Sequence, residues 1–283
     1  MIKEVQKKIR SLLMLLLLLS ALPGVIYAGI TCPSETAVMS FAAPSGMFMV
    51  GESLEYEVSY SLFHLGTVRI EVIDQVPKGS FSVYRAKAYM DSYSGVPFVS
   101  LHFVFYSEMA PEAYSVFFSG YDTRDPKNTS FADYVFDYSR HVVTYEKGVK
   151  QKPEVTLKGS DTISTTFQDG LSLFFCARAN AGMQRKMNVP TFVNEKKVNT
   201  FIHFTNKVVP MEIDVVKFPI RTVELDGSAD FVGIFGLTGG FQGWFSDDEA
   251  AIPIVARMKV ILGSVYIELK AWNRPGWYPP RAD

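Results

Sequence analysis

From residue 53 the chain alternates. Leu54, Tyr56, Val58, Tyr60 and Leu62 share one face of an extended segment, and Ser53, Glu55, Glu57, Ser59 and Ser61 share the other. A two-residue period of this kind is a half-buried β-strand. His64-Leu65-Gly66 is read as a turn, and Val68, Ile70 and Val72 continue the alternation in a second strand. Pro77-Lys78-Gly79 makes the next turn, because proline fixes φ and glycine accepts positive φ; a third strand then covers 81–90. Links this short join only antiparallel neighbours. Residues 98–106 are apolar throughout and read equally as strand or buried helix. Further strands are expected at 114–121, 134–137, 141–146, 200–205, 208–216, 221–225, 241–245, 254–261 and 264–269, with 122–128 a polar loop and Leu262-Gly263 closing the last hairpin.

One stretch breaks the β pattern. Residues 166–181 lack alternation, and Phe167, Leu171, Phe174 and Phe175 recur at helical spacing. Thr166 or Asp169 can cap the start and Gly182 the end. Such a stripe is core-facing more often than it is a cofactor site. Gly233-x-x-Gly236-x-x-Gly239-Gly240 lacks dinucleotide-binding spacing and reads as a bulge-rich stretch between strands.

The first 28 residues have a different grammar. Lys3, Lys7, Lys8 and Arg10 precede an apolar run from Leu12 to Leu19, then Pro23-Gly24 and a small-residue site at Ala28. This is the pattern of a cleaved secretory leader, with an uncleaved anchor or lipidation at Cys32 as alternatives. The expected organisation is a signal peptide at 1–28, an irregular arm at 29–49, one β-rich domain at 50–271 and a proline-containing tail at 272–283. Removing four bases and one acid takes the formal charge from −1 to −4, which attracts neither nucleic acid nor an anionic membrane. No later apolar run has membrane length. Hydrophobic residues are 48% of the chain, enough for a substantial core, with 22 Phe and 14 Tyr to furnish strands. Cys32 and Cys176 are the two cysteines; Cys176, between Phe175 and Ala177, reads as a buried free thiol, with a Cys32–Cys176 disulfide as the alternative.

Motifs for chemistry are sparse. There is no nucleophile elbow or phosphate loop, and His64, His102, His141 and His203 have no His or Cys at a chelating interval. No metal or other cofactor is expected. Asn128-Thr129-Ser130 fits a glycosylation acceptor only in a secreted eukaryotic protein. The remaining candidates are Asp247 and Asp248. Adjacent strand residues point to opposite faces, so the two could cooperate only across a turn. In a turn, Ser246 and Asp247 spend their oxygens on backbone amides. The segment Trp244, Ser246, Asp247, Asp248 and Pro253 is therefore read as an exposed hairpin tip rather than a catalytic pair.

Four pieces, in order, carry a family resemblance: Gly51-Glu52-Ser53-Leu54-Glu55-Tyr56 with Leu65-Gly66; Phe136-Asp137 before 141–145; Asp169-Gly170-Leu171-Ser172 opening a segment with Arg178; and Trp244-Phe245-Ser246-Asp247-Asp248 before Ile252-Pro253, Lys259 and Gly263. The chain resembles the bacterial exported family called domain of unknown function 3108. It departs at 216–220, where the family's glycine is missing, and at Cys176-Ala177, where bulkier residues are usual. The resemblance implies the envelope of a Gram-negative-type bacterium. It also implies a mainly β fold: a large curved antiparallel sheet, an open half-barrel packed on one or two helices, similar to the outer-membrane lipoprotein carriers. It assigns no activity. Three functions follow for testing. The first is a non-catalytic envelope protein holding a lipid, or the lipid of a lipoprotein, against Tyr56, Val58, Tyr60, Phe167, Leu171, Phe174 and Phe175. In the bland version of that reading, these residues simply fill the core. The second is an envelope scaffold with a protein partner. The third is a hydrolase using Asp247 or Asp248. An outer-membrane barrel fits poorly with the internal helix and the polar C-terminus.

Overall fold

The computed structural model describes residues 46–96, 100–152, 154–232, 238–260 and 263–283. The leader, Cys32 and most of the arm lie outside the described residues, as do Phe98 and Leu262.

Fourteen strands form one sheet: β1 (Ser53–Tyr60), β2 (Phe63–Lys78), β3 (Phe81–Ser92), β4 (His102–Met109), β5 (Ser115–Asp122), β6 (Ser130–Asp137), β7 (Val142–Val149), β8 (Val155–Thr162), β9 (Arg185–Val193), β10 (Lys196–Ile213), β11 (Val216–Val232), β12 (Thr238–Ser246), β13 (Pro253–Lys259) and β14 (Ser264–Asn273). A single helix among the described residues, α1 (Ser172–Asn180), lies between β8 and β9. The strand order is β8-β7-β6-β5-β4-β3-β2-β1-β14-β13-β12-β11-β10-β9, every pair antiparallel. The expected large antiparallel sheet packed on one or two helices is the architecture found, with one helix among the described residues. The sheet is not closed: β8 and β9 are its edges and make no ladder with each other.

Side chains of β9, the β9–β10 turn and β10 reach across to β6, β7 and β8. Phe192 of β9 sets its ring 5.0 Å from Tyr134, 6.0 Å from Phe136 and 5.8 Å from Tyr145. Glu195, in the β9–β10 turn, accepts from the Tyr134 hydroxyl at 2.9 Å and from Lys147 Nζ at 3.0 Å, and Lys197 reaches Asp161 at 2.7 Å. Gln168 adds a short parallel bridge to Thr191, which covers the β9 edge. Glycines allow the strands to approach as the sheet bends: a Cβ at Gly66 would lie 2.1 Å from the Asp91 carbonyl oxygen, and one at Gly227 2.3 Å from that of Phe201.

Antiparallel succession puts alternate links at opposite ends. Links β2–β3, β4–β5, β6–β7, β10–β11 and β12–β13 share one end with α1 and the C-terminal residues, here the helix end. The β1–β2, β3–β4, β5–β6, β7–β8, β9–β10, β11–β12 and β13–β14 links share the far end.

α1 lies against the concave face and divides the core. Phe175 and Ala179 join Leu54, Tyr56, Ile70, Val72, Ile254 and Leu269, whereas Cys176 joins Val189, Ile202, Phe204, Val223 and Leu225. Burial on both sides explains why so short a helix is stable, since isolated helices of this length are marginal.

Several expectations are corrected in detail. The first turn is at Ser61 (φ 54°) and Leu62, so β1 stops at Tyr60 short of the expected Leu62, and His64-Leu65-Gly66 belongs to β2, which pairs with β1 from Phe63 onward. The 98–106 ambiguity resolves to strand for 102–106. Thr166 and Phe167 precede the helix, since Phe167 and Gln168 use their backbone groups to bridge β5 and β9. β8 and β9 had no alternation strong enough to be read; β8 is an exposed edge with little to bury. β10 is one strand interrupted by a bulge at Asn206 (φ 53°), not two strands. The proline-containing residues 274–283 pack on the domain: Trp277 is buried, the Arg221 amide donates to the Pro280 carbonyl, and Arg281 bridges to Ile220.

Candidate functional site

The family-like sequence pieces converge at the helix end. Asp169 starts α1: its carbonyl accepts from the Leu173 amide, and its Oδ1 accepts from the amides of Leu171 (2.7 Å) and Ser172 (2.9 Å). Ser172 Oγ in turn accepts from the Asp169 amide at 2.8 Å, the reciprocal arrangement of a capping box with serine at its third position. Ser107 Oγ donates to Asp169 Oδ2 at 2.7 Å. Burial pushes the Asp169 carboxyl above its ordinary range, although these hydroxyl and amide donors pull the other way. Gly182, at φ 77°, lets the chain leave the helix, with the Met183 amide on the Asn180 carbonyl.

In the last turn of α1, Arg178 is buried completely. Its Nη1 donates to Glu52 Oε1 at 2.6 Å, and its Nη2 donates to Glu52 Oε2 at 3.1 Å and to the Ala250 carbonyl at 2.9 Å. Arg274, just past β14, also donates to Glu52 Oε2 and to the Gly46 carbonyl. One carboxylate thus ties together the segment before β1, the helix, and the residues following the last strand. A charge so buried is tolerable only when paired and hydrogen-bonded.

Next to it is the Trp-x-Ser-Asp-Asp segment. Asp248 Oδ1 accepts from Ser246 Oγ (2.8 Å) and from the amides of Ala250 (3.0 Å) and Ala251 (3.1 Å); Oδ2 accepts from Trp277 Nε1 at 2.9 Å. Ser246 Oγ accepts from the Ile252 amide at 2.8 Å. Asp247 turns away to accept from Arg221 Nε at 2.7 Å. Trp244 lies in β12 opposite Val255, and Pro253 opens β13 opposite Phe245. The segment is a turn, but Asp248 rather than the expected Asp247 accepts from the backbone amides beside Ser246, and its tip is not wholly exposed. Ala250, Ala251 and Ile252 are buried, because the polar side chains fold the loop inward and so carry these apolar residues to the core. The two acids do not converge on one space.

The apolar candidates are placed as follows. Tyr56, Val58, Phe167, Leu171 and Phe175 are buried, whereas Tyr60 and Phe174 are half-buried. Tyr56 and Phe174 meet edge to face at 6.5 Å, and Leu171 and Phe175 join them in the main core. Phe167 lies apart, with Phe118, Phe136 and Phe192. The Tyr56 hydroxyl is buried with no hydrogen-bond partner, and burial pushes its pKa well up.

The register also reveals inward positions that sequence reasoning missed. Tyr56 pairs across the sheet with Val68, Val68 with Met90, and Met90 with Phe103. On the other side Tyr60 pairs with Val265, Val265 with Met258, and Met258 with Phe241. Side chains opposite each other share a face, so Val68, Met90, Phe103, Met258 and Phe241 face the same concavity as Tyr56 and Tyr60. All five are half-buried, whereas Leu54, Ile70, Phe175 and Leu269 around α1 are buried. Alternation in the sequence could have given each its face, but not which strands lie beside it.

Cys176 is a buried free thiol with its pKa raised to about 11 by burial. Among the described residues no three His, Cys, Asp or Glu side chains converge as a metal site would require, and no helix is long and apolar enough to cross a membrane.

Comparison with known proteins places this arrangement. The profile of the family described as "Protein of unknown function (DUF3108)" matches residues 55–270. The chain belongs to the DUF3108 family. No curated protein matches this DUF3108 chain in sequence. Among solved structures it is similar to the β-barrel-like protein of domain of unknown function DUF1849 from Brucella abortus. The TM-score is 0.53 at 11% identity, over 80% of this chain and 98% of that one. At that identity the likeness concerns the fold alone.

Proposed function

We propose that this DUF3108 protein is a non-catalytic binding protein that takes an apolar ligand, such as a lipid acyl chain, into the far end of its curved sheet. The observation that carries this reading is the graded burial of the concave face. Most inward side chains around α1 are covered, while toward the far end Tyr60, Met90, Phe103 and Met258 stay half-buried beside the buried Val58 and Val265. Ligand sites are typically apolar concavities with few polar groups. The unpartnered Tyr56 hydroxyl offers one such group at the floor. The leader-like residues 1–28 support placing the protein in the envelope, after export.

A second reading, an assembly protein acting through its surface, is favoured by the β8 edge. This strand has a neighbour on one side only, and Val155 and Leu157 on it are exposed.

Native mass spectrometry for co-purified lipid, with titration of an apolar fluorescent probe, separates the two. The carrier reading expects bound lipid or saturable probe binding, lost in Met258→Glu with the fold retained. No bound lipid together with no saturable probe binding overturns it; crosslinking through β8 then identifies a protein partner.

A further inference from the structure

The far end is itself unevenly built. The β1–β2 hairpin ends on Leu62 and Phe63, which are 91% and 69% exposed, the most exposed large apolar pair in consecutive positions among the described residues. Described links farther round the same end carry polar residues: Arg124, Asp125 and Lys127 after β5, Lys150 and Lys152 after β7, Asn194 and Glu195 after β9. The open apolar tip therefore stands apart from a polar stretch of the same rim.

Below the tip, tyrosines flank the hairpin. Tyr93 donates its amide hydrogen to the Leu65 carbonyl and its hydroxyl to Glu57 Oε2 at 3.0 Å, beside β2. Tyr266 pairs with Ser59 on the β1 side. Both rings are partly exposed on the convex face, three residues from Leu62 in register, or roughly 10 Å along the strands. At this level Glu57 pairs with Lys270 and Asp91 meets the His102 ring, so the band carries no excess of positive charge.

We infer that the β1–β2 hairpin tip is a membrane-docking element: Leu62 and Phe63 enter the acyl region of a lipid bilayer while Tyr93 and Tyr266 lie at headgroup level. Tyrosine favours that boundary because its ring is apolar and its hydroxyl wet. Interfacial elements sink about 5–10 Å into the headgroup and acyl boundary, which matches the spacing of tip and tyrosines. A protein partner would need a pocket shaped for each protruding side chain, whereas a bilayer accepts them as they stand. Without an excess of positive charge at this level, the docking is independent of anionic lipid. It stands whether or not the concavity holds a ligand, and would bring a loaded concavity to the membrane surface.

The test uses the full chain with one added tryptophan and neutral phosphatidylcholine vesicles carrying brominated acyl chains. In Phe63→Trp the added emission, taken against the parent chain, should shift to the blue and be quenched by the bromolipid. In Val208→Trp, a comparably open position on mid-strand β10 (53% exposed), it should not. Reading the position of contact removes any contribution of the apolar leader. Leu62→Ser with Phe63→Ser should lower vesicle partitioning of the leader-free chain by about tenfold or more, with an unchanged circular dichroism spectrum. Three outcomes overturn the inference: no quenching of the added emission in Phe63→Trp, equal quenching in Phe63→Trp and Val208→Trp, or binding that appears only on anionic vesicles.

Discussion

The two ends of the sheet are made by the same strands and solve opposite problems. At the helix end, the side chains of Glu52, Asp169, Arg178, Arg274 and Asp248 each have two or more hydrogen-bond partners. At the far end the concave face carries half-buried apolar side chains, and the rim carries Leu62 and Phe63 in the open. Buried polar groups are costly to strip of partners and therefore enforce one geometry. Loosely covered apolar groups cost little to rearrange and can exchange contacts with a ligand. Stability resides at the helix end, and the proposed binding at the other.

The largest expected break is Glu52→Ala. It removes the partner of two buried guanidinium groups at once and should cost about 3–5 kcal/mol, read as a large fall in the denaturant midpoint. A measured loss below about 1 kcal/mol would refute the role given to this carboxylate. Next comes Asp248→Ala, which unbinds two amides, a hydroxyl and the Trp277 indole; about 2–3 kcal/mol is expected for a multiply bonded, partly buried carboxylate. The neighbouring Asp247→Ala loses an exposed ion pair and should cost no more than about 1 kcal/mol. Equal effects of the two would dissolve the distinction between turn-building and surface acids. Met258→Glu at the far end should change probe binding much more than either of these changes it.

The smallest effect is a pH dependence. Burial holds the Asp169 pKa above its ordinary 3.8, so across the window from about 4 up to the raised value the folded state binds more protons than the unfolded one. Stability contributed by this group therefore falls as pH rises through that window and stays lower above it. Asp169→Asn should remove that slope, so the wild-type-minus-variant difference in thermal midpoint should fall from acid toward neutrality. A difference independent of pH would show that burial does not raise this carboxyl.

Much of the fold was legible locally. The alternation of Leu54, Tyr56 and Val58 defined β1 and its buried face, and the break of pattern near Leu171 located α1. Strands with weak alternation were not legible, β8 because it is an exposed edge and β9 because Pro190 interrupts its pattern. Of the candidate site, Tyr56 and Phe174 were named from the sequence and pack in one cluster, but Phe167 belongs to another. Val68, Met90, Phe103 and Met258 were missed because facing a common space depends on cross-strand register, which no local pattern records.

By itself the sequence determined an antiparallel β chain with one helix, a turn at Ser246–Asp248, and membership signals spread from Gly51 to Gly263. Each rests on neighbours within a few residues, where period and turn chemistry act. Only the tertiary structure decided that Glu52, Arg178 and Arg274, separated by 126 residues in one pair and 222 in the other, share one buried site. It alone decided that the C-terminal residues lock onto Asp248, and that half-buried apolar residues gather at one end. The reason is that pairing of distant charges and the register of strands far apart in the chain are set by how the whole sheet curls around α1.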